Sequence, residues 1–520
     1  MDKRWWTLVV VSAATFMLLL DVTIVTVALP DIRIELGASF SALQWITDAY
    51  ALALAALLLT SGSIADRFGR RLVFTVGLVV FTLGSLLCGV AQDATMLIVS
   101  RALQGIGGAM LFATSLALLA ATFHGRDRGV AFGVWGAVTG ISTALGPILG
   151  GVITTYWSWR GIFLVNLPVG IFALAVTLWK VEESRSPHAR RIDWPGVLTF
   201  TIALLALVFG LTETGTRSWG DPVVVTSLIV AGVLLAVFVV VELTVAEPMF
   251  DLSLLKVPTF VGGSIAAFTM NGSLFAMLLY VVIYLQDSLG YNSMETGLRL
   301  LVMSGLSMVV ATVAGRASAL VPVRWLIGPG LLCVGVGLLL MSGLSAGTSW
   351  THLIPGLVVS GAGAGLVNPP LASTAVGVVD VHRSGMASGI NTTFRQVGIA
   401  VGIAVYGSIF SAQMASTMTE QLAQVPQIGS HADALADAAR GGQVSQAIAS
   451  LPAGVQGAAT DAAHAAFADA MNALFVASGI VALVGAVSSV VLIRRKDFVA
   501  PAPAAATVVD EGEPEVAGAQ

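Results

Sequence analysis

The chain has 520 residues, of which 56% are hydrophobic and only 10% are Asp, Glu, Lys or Arg, with a formal net charge of −4. That much apolar surface cannot be hidden in one soluble core, so lipid must be the solvent for most of it. The weakly acidic balance offers no footprint for a nucleic acid. Cys88 and Cys333 both fall inside apolar runs, which excludes a disulfide framework.

A bilayer span takes about 20 mostly apolar residues. Fourteen such segments follow along the chain, at 7–30, 43–63, 72–91, 96–121, 130–155, 160–180, 195–213, 223–243, 258–286, 297–315, 325–345, 351–378, 386–412 and 465–492. None shows the apolar/polar alternation of a lipid-facing strand, so the expected class is an all-α membrane protein. The first segment is too long for a signal peptide and carries an acid near its middle, so it reads as a span. With the N-terminus inside, 18 Lys and Arg residues fall on cytoplasmic segments and 5 on outer ones, which puts both termini in the cytoplasm. The tail 494–520 is low in complexity and expected to be disordered. The link 413–464 reads as small-residue amphipathic helix or disorder, a candidate cap over the outer mouth.

The link "GSIADRFGRR" (62–71) concentrates charge between two apolar runs. Its arginines suit anchoring on the cytoplasmic side, which leaves Asp66 and the glycines unexplained. A repeat says more. Residues 104–146 register on 360–402 at an offset of 256, pairing Gly105 with Gly361, Gly107 with Gly363, Gly129 with Gly385, Gly133 with Gly389 and Gly146 with Gly402. A weaker echo at 253 pairs Gly62 with Gly315 and Gly77 with Gly330. A parallel repeat predicts two pseudo-symmetric six-helix bundles, 1–180 and 258–493, with spans 7 and 8 inserted over 181–257 and a site between the bundles. Asp66, Arg101 and Pro147 map to Ala319, Leu357 and Ile403, so their chemistry belongs to one half alone.

Charge within a membrane costs about 2.5–3.5 kcal/mol per residue, which makes each such residue a functional candidate. Asp21 lies about 13 Å and Arg101 about 9 Å from the outer end of their spans at 1.5 Å per residue. Asp48 lies at a similar outer depth and nearer water. Such a layer suits proton coupling, since an acid that meets a guanidinium in one conformation and apolar surroundings in another changes its proton affinity. Arg101, Gln104, Gly105 and Gly108 form a small, polar helix face expected to look into a cavity. In span 5, Gly129, Gly133, Gly136, Gly140, Ala144, Pro147 and Gly151 form a small-residue stripe for close helix approach, and Pro147 predicts a bend there. In the second half, Phe275, Asn368, Asn391, Phe394 and Arg395 join Gln104 as candidates for a substrate cavity. There is no paired nucleophile and base, phosphate loop or metal cluster, so neither an enzyme nor a cofactor is expected.

Five stretches, "LDVTIVTVALP" (20–30), "GSIADRFGRR", "RALQGIGGA" (101–109), "GISTALGPILGG" (140–151) and "WSWRGIFLVNLPVG" (157–170), resemble successive signatures of the major facilitator superfamily. With "RRIDWPG" (190–196) and "YLQDSLGYNSMETGLRLL" (284–301), the chain resembles that superfamily's fourteen-span drug:proton antiporters. The resemblance implies a proton-driven exporter of bulky hydrophobic drugs or antibiotics; a monomer is expected. It implies proton coupling at Asp21 and Arg101, and an antiporter gate at Gly140, Gly146, Pro147, Gly150 and Gly151. It also implies a cytoplasmic latch of Gly62, Asp66, Arg67, Gly69 and Arg70, in which Gly62 lets spans 2 and 11 approach and Gly69 turns the link. Export of an endogenous metabolite on the same fold is the alternative; a membrane sensor fits less well, because no link except 413–464 could hold a soluble domain.

Overall fold

The computed structural model describes residues 3–498 apart from 124, 186–191, 319, 380–383 and 424–443 save Leu435 and Ala438. The tail beyond 498, the centre of link 413–464 and Ala319 lie outside the described residues. The long helices are α1 (Lys3–Leu36), α2 (Phe40–Phe68), α3 (Arg70–Gly89), α4 (Ala94–Thr122) and α5 (Gly125–Tyr156). They continue as α6 (Gly161–Lys180), α7 (Trp194–Glu213), α8 (Pro222–Thr244), α9 (Pro258–Ser288) and α10 (Ser293–Ala317). The last are α11 (Arg324–Leu340), α12 (Ile354–Gly377), α13 (Ser384–Ala423) and α14 (Ala453–Leu492).

All fourteen apolar segments lie on helices, and 12 helices among the described residues are long and apolar enough to cross a bilayer. Two segments fall short of that standard: α11, an apolar helix below the length of the rest, and α5, which bends by 44° between Val130–Ser142 and Ala144–Tyr156. The bend has its cause in the sequence. Pro147 donates no hydrogen bond and its ring crowds the carbonyl four residues back, at position 143, where the two pieces meet. The described parts of 413–464 extend α13 and α14 as helix, each 40 residues long, with a short helix Val444–Ala449 between them.

Tight joints are built from turn glycines and caps. Gly37, Gly69 and Gly290 take positive φ, which glycine adopts without Cβ strain. At the start of α10, Asn292 and Glu295 form a reciprocal capping box.

Packing repeats with the sequence. In the first half α4 packs along α2 and α3, α1 along α5, and α6 on α1 and α3. In the second half α12 packs along α10 and α11, α9 along α13, and α14 on α9 and α11. The glycines of the repeat stand at equivalent contacts. A methyl group on Gly105 would lie 2.6 Å from the Tyr50 carbonyl, and one on Gly361 would lie 2.5 Å from the Met303 carbonyl. Gly107 closes on Gly77, and Gly363 closes on Gly330. The halves meet along α5–α10 and α2–α13, while α7 and α8 pair with each other and α7 also packs on α2 and α13. Only 17% of the apolar window of α8 is buried within the protein, which leaves the rest for lipid.

Candidate functional site

Four helices of the first half converge on Asp21. The carboxylate is wholly buried and forms an ion pair with Arg101 from α4. Gln104, one turn further along α4, donates from Nε2 to Asp21 Oδ1 at 2.8 Å, and Asn166 of α6 donates to the same oxygen at 3.2 Å. Ser85 of α3 completes the cluster, accepting from Gln104 at 2.7 Å and from Asn166 at 3.2 Å. Arg101 also donates from Nε to the Ile46 carbonyl at 3.2 Å, and its guanidinium stacks 4.3 Å from the centre of the Tyr50 ring. Among the described residues, every side chain that hydrogen-bonds the carboxylate does so as a donor. Asn166 and Ser85 were not anticipated from the sequence.

The expected face of α4 exists, but it points elsewhere. Gln104 is wholly buried in this cluster, while Gly105 and Gly108 press on α2 and α1. The small residues serve close helix packing, and Gln104 serves Asp21.

Asp48 corrects another expectation. It is completely buried instead of being wetted, and neither carboxyl oxygen has a hydrogen-bond partner among the described residues. One turn away on α2, Gln44 donates to Tyr280 Oη and to the Ile403 carbonyl, both at 3.1 Å. Tyr280 in turn donates to that carbonyl at 2.6 Å. Cover by α9 and α13 across the interface between the halves is what excludes water.

At the basic end, Arg70 donates to Asp66 at 2.9 Å and 3.1 Å and to the Ala117 carbonyl at 3.4 Å. A further group was not anticipated. Glu183, after α6, accepts from the backbone N–H of Arg71 at 3.0 Å and of Leu72 at 3.2 Å, capping α3. Its carboxylate lies where a Cβ of Gly69 would stand, 2.5–2.7 Å away, and Gly69 has φ +124°. The positive φ is what requires glycine, and an added Cβ would also displace the Glu183 carboxylate from its cap. The other latch residues behave differently: a methyl on Gly62 would meet nothing within 4 Å, and Arg67 lies over the Phe68 ring at 5.8 Å. Among the described residues, the hydrogen bonds of Asp66, Arg70 and Arg71 reach the first half and the link just after it, at Glu183 and Ser184, and none reaches the second half.

At the opposite end the halves are fastened together. Arg33 pairs with Asp287 at 2.7 Å, Ser293 donates to Asp31 at 2.5 Å, and Gln286 donates to the Val27 carbonyl at 2.8 Å. Four of the five residues expected at the gate close the helices nearby. Gly146 meets the Thr23 side chain, Gly150 the Ile24 carbonyl, Gly151 the Ser293 carbonyl, and the Pro147 carbonyl occupies the place of a Cβ on Gly297. Gly133, Gly136 and Gly140 face open space, so the stripe works as a packing seam only in its second half.

The second-half cavity candidates separate. Arg395, Asn368 and Asn391 come together, with Arg395 donating to Asn368 at 3.2 Å and to Asn391 at 3.3 Å. Phe394 instead packs edge-on to Phe250, and Phe275 packs against the large apolar cluster, because neighbouring positions on a helix point to different sides.

A two-fold repeat of membrane helices with a buried ion pair in one half has a match among known families. The profile of the Major Facilitator Superfamily covers residues 11–403. The chain belongs to this superfamily. It is 36% identical over 417 residues to the "Multidrug resistance protein Stp" of Mycobacterium tuberculosis (80% of this chain, 78% of that one). To the "Tetracenomycin C resistance and export protein" of Streptomyces glaucescens it is 34% identical over 505 residues (95% and 92%). To the "Puromycin resistance protein pur8" of Streptomyces alboniger it is 36% identical over 423 residues (80% and 84%). Among solved structures it resembles a bacterial homolog of the human lysosomal transporter Spinster, in an inward-facing and occupied conformation. That match has a TM-score of 0.63 at 16% identity and covers 96% of this chain and 100% of the other. At that identity, what the two chains share is the fold.

Proposed function

We propose that this chain is a transporter, not an enzyme, which exports bulky, largely hydrophobic drugs or antibiotics across the cell membrane in exchange for protons. The observation that carries the reading is the Asp21 cluster: a buried acid held by an arginine and two amides, found among the described residues in one half of a two-fold helical repeat. The names of relatives at 34–36% identity, all resistance or export proteins, support the cargo class. In this reading Asp21 carries the proton, Arg101 displaces it, and Asp48 is a second protonation site between the halves. Asp66 and Arg70 form the latch at the cytoplasmic end, and the Gly146–Gly151 seam forms the outer gate.

The same reading takes α5 and α11 as spans, giving fourteen, with bundles 1–180 and 258–493, an inserted pair within 181–257, and both termini cytoplasmic. A phosphatase reporter fused near Arg440 is expected to be active and one near His188 inactive; the reverse result removes this topology. For coupling, Asp21→Asn is expected to abolish substrate-induced proton release from energised inside-out vesicles, because an amide does not titrate. Asp21→Glu should keep part of it with a displaced pH optimum. Normal exchange by the Asn variant at matched protein levels would make Asp21 structural.

A further inference from the structure

Arg395 is the second arginine within a span, and it differs from Arg101 in one respect. Arg101 is neutralised by Asp21, whereas Arg395 forms an ion pair with no carboxylate among the described residues. It lies nine residues beyond Met386, about 13 Å along α13 at 1.5 Å per residue. In a hydrocarbon core about 30 Å thick, that is close to mid-depth. Two neutral amide oxygens, from Asn368 on α12 and Asn391 on α13, hold it by Nη1 and Nε. A guanidinium has five N–H donors, so three remain for a ligand. The residue is half-buried, and so is Asn368.

The repeat sharpens the contrast. At the offset of 256, Asn368, Asn391 and Arg395 correspond to Phe112, Trp135 and Thr139. Trp135 is fixed by its indole N–H to Thr15 Oγ1 at 2.9 Å, and both aromatic side chains are half-buried. Where the first half carries half-buried aromatic side chains, the second half therefore carries a positive charge held by amides and, among the described residues, without a carboxylate.

We propose that Arg395, positioned by Asn368 and Asn391, is an anion-recognition subsite, and that the preferred cargo is an aromatic compound bearing a carboxylate, phenolate or enolate. The planar fork of the guanidinium suits a bidentate oxygen pair, and the same charge disfavours a cationic cargo. The inference rests on the efflux reading and specifies its substrate.

The test uses three probes with one aromatic body: an anthraquinone carboxylate, its neutral methylamide and its trimethylammonium derivative. Export is measured in inside-out vesicles under an imposed pH gradient, and binding by quenching of tryptophan fluorescence in nanodiscs. The wild type is expected to export the acid at least tenfold faster than the cation. Arg395→Gln is expected to lower the acid-to-amide ratio at least tenfold, Arg395→Lys by a smaller factor because charge remains without the fork, and Asn368→Ala also by a smaller factor. Equal export of acid and cation by the wild type overturns the proposal, as does an Arg395→Gln variant in which all probes fall alike. Failure of the wild type to export any probe removes the efflux reading, and the nanodisc measurement then decides the subsite separately: acid-selective quenching lost in Arg395→Gln supports it, and quenching without preference overturns it.

Discussion

Where the first half brings Asp21, Arg101 and Ser85 together, the second half has Leu274, Leu357 and Leu338, by the offsets of 253 for α1 and α3 and 256 for α4. All three leucines are at most 2% exposed and belong to the large apolar cluster. The glycine contacts between the surrounding helices are nonetheless equivalent: Gly146 closes on Thr23, and Gly402 on Ala276, its counterpart, at 2.7 Å. The same helix packing thus encloses a polar cluster in one half and hydrocarbon in the other. Backbone approach is set by the small residues, and the side chains between the helices can change their chemistry without moving them. In the proposed reading the first half responds to a proton, and the second is a scaffold with a charge placed further in.

Converting one half into the other breaks this comparison most severely. Arg101→Leu alone leaves Asp21 buried without its counter-charge and is expected to cost about 3–5 kcal/mol. The double substitution Asp21→Leu/Arg101→Leu should recover most of that loss, since a buried ion pair replaced by well-packed hydrocarbon is often neutral or stabilising. Thermal melting of the purified protein checks both, and a double variant as unstable as the single one would mean that the two halves differ in packing as well as in charge. Proton exchange should be absent from both variants.

A milder substitution tests the shared frame. Gly107→Ala and Gly363→Ala each push a methyl into a neighbouring backbone, and each is expected to cost about 1–3 kcal/mol. Melting temperatures of the two variants should fall together, and a large difference would show that the contacts are equivalent in position but not in tightness. At the basic end, Glu183→Gln removes the charge that caps α3 and should cost about 1 kcal/mol. Its effect is read in the exchange protection of the Arg71 and Leu72 amides. Gly62→Ala meets open space and should stay within about 0.5 kcal/mol of the parent. A strong transport defect without loss of stability in that variant would show that Gly62 packs closely in another conformation.

Much of the site was legible because charge in a membrane is costly and stands out. Asp21, Arg101 and Arg395 were visible for that reason. Asn166 and Ser85 were not, since neutral polar side chains cost too little in a span to attract notice. Glu183 was concealed by its setting, one acid in a link where charge is ordinary. Gln104 shows a different limit. Its spacing from Arg101 places both on one face of α4, but helical periodicity does not say whether that face meets a cavity or three neighbouring helices.

Composition and hydropathy by themselves determined that the chain is a bundle of membrane helices, because only a helix satisfies its own backbone across so many apolar segments. The glycine register determined the duplication, and the position of Pro147 determined the bend of α5, both local properties that a linear chain records. Only the tertiary structure decided that Asp48 is covered, that Arg33 meets Asp287, and that Arg395 is held by amides without an acid. Those outcomes join residues up to 359 positions apart, and they depend on which faces the packed helices turn toward one another. Side-chain chemistry marks a residue as costly to bury, but its partner is chosen by the geometry of the bundle.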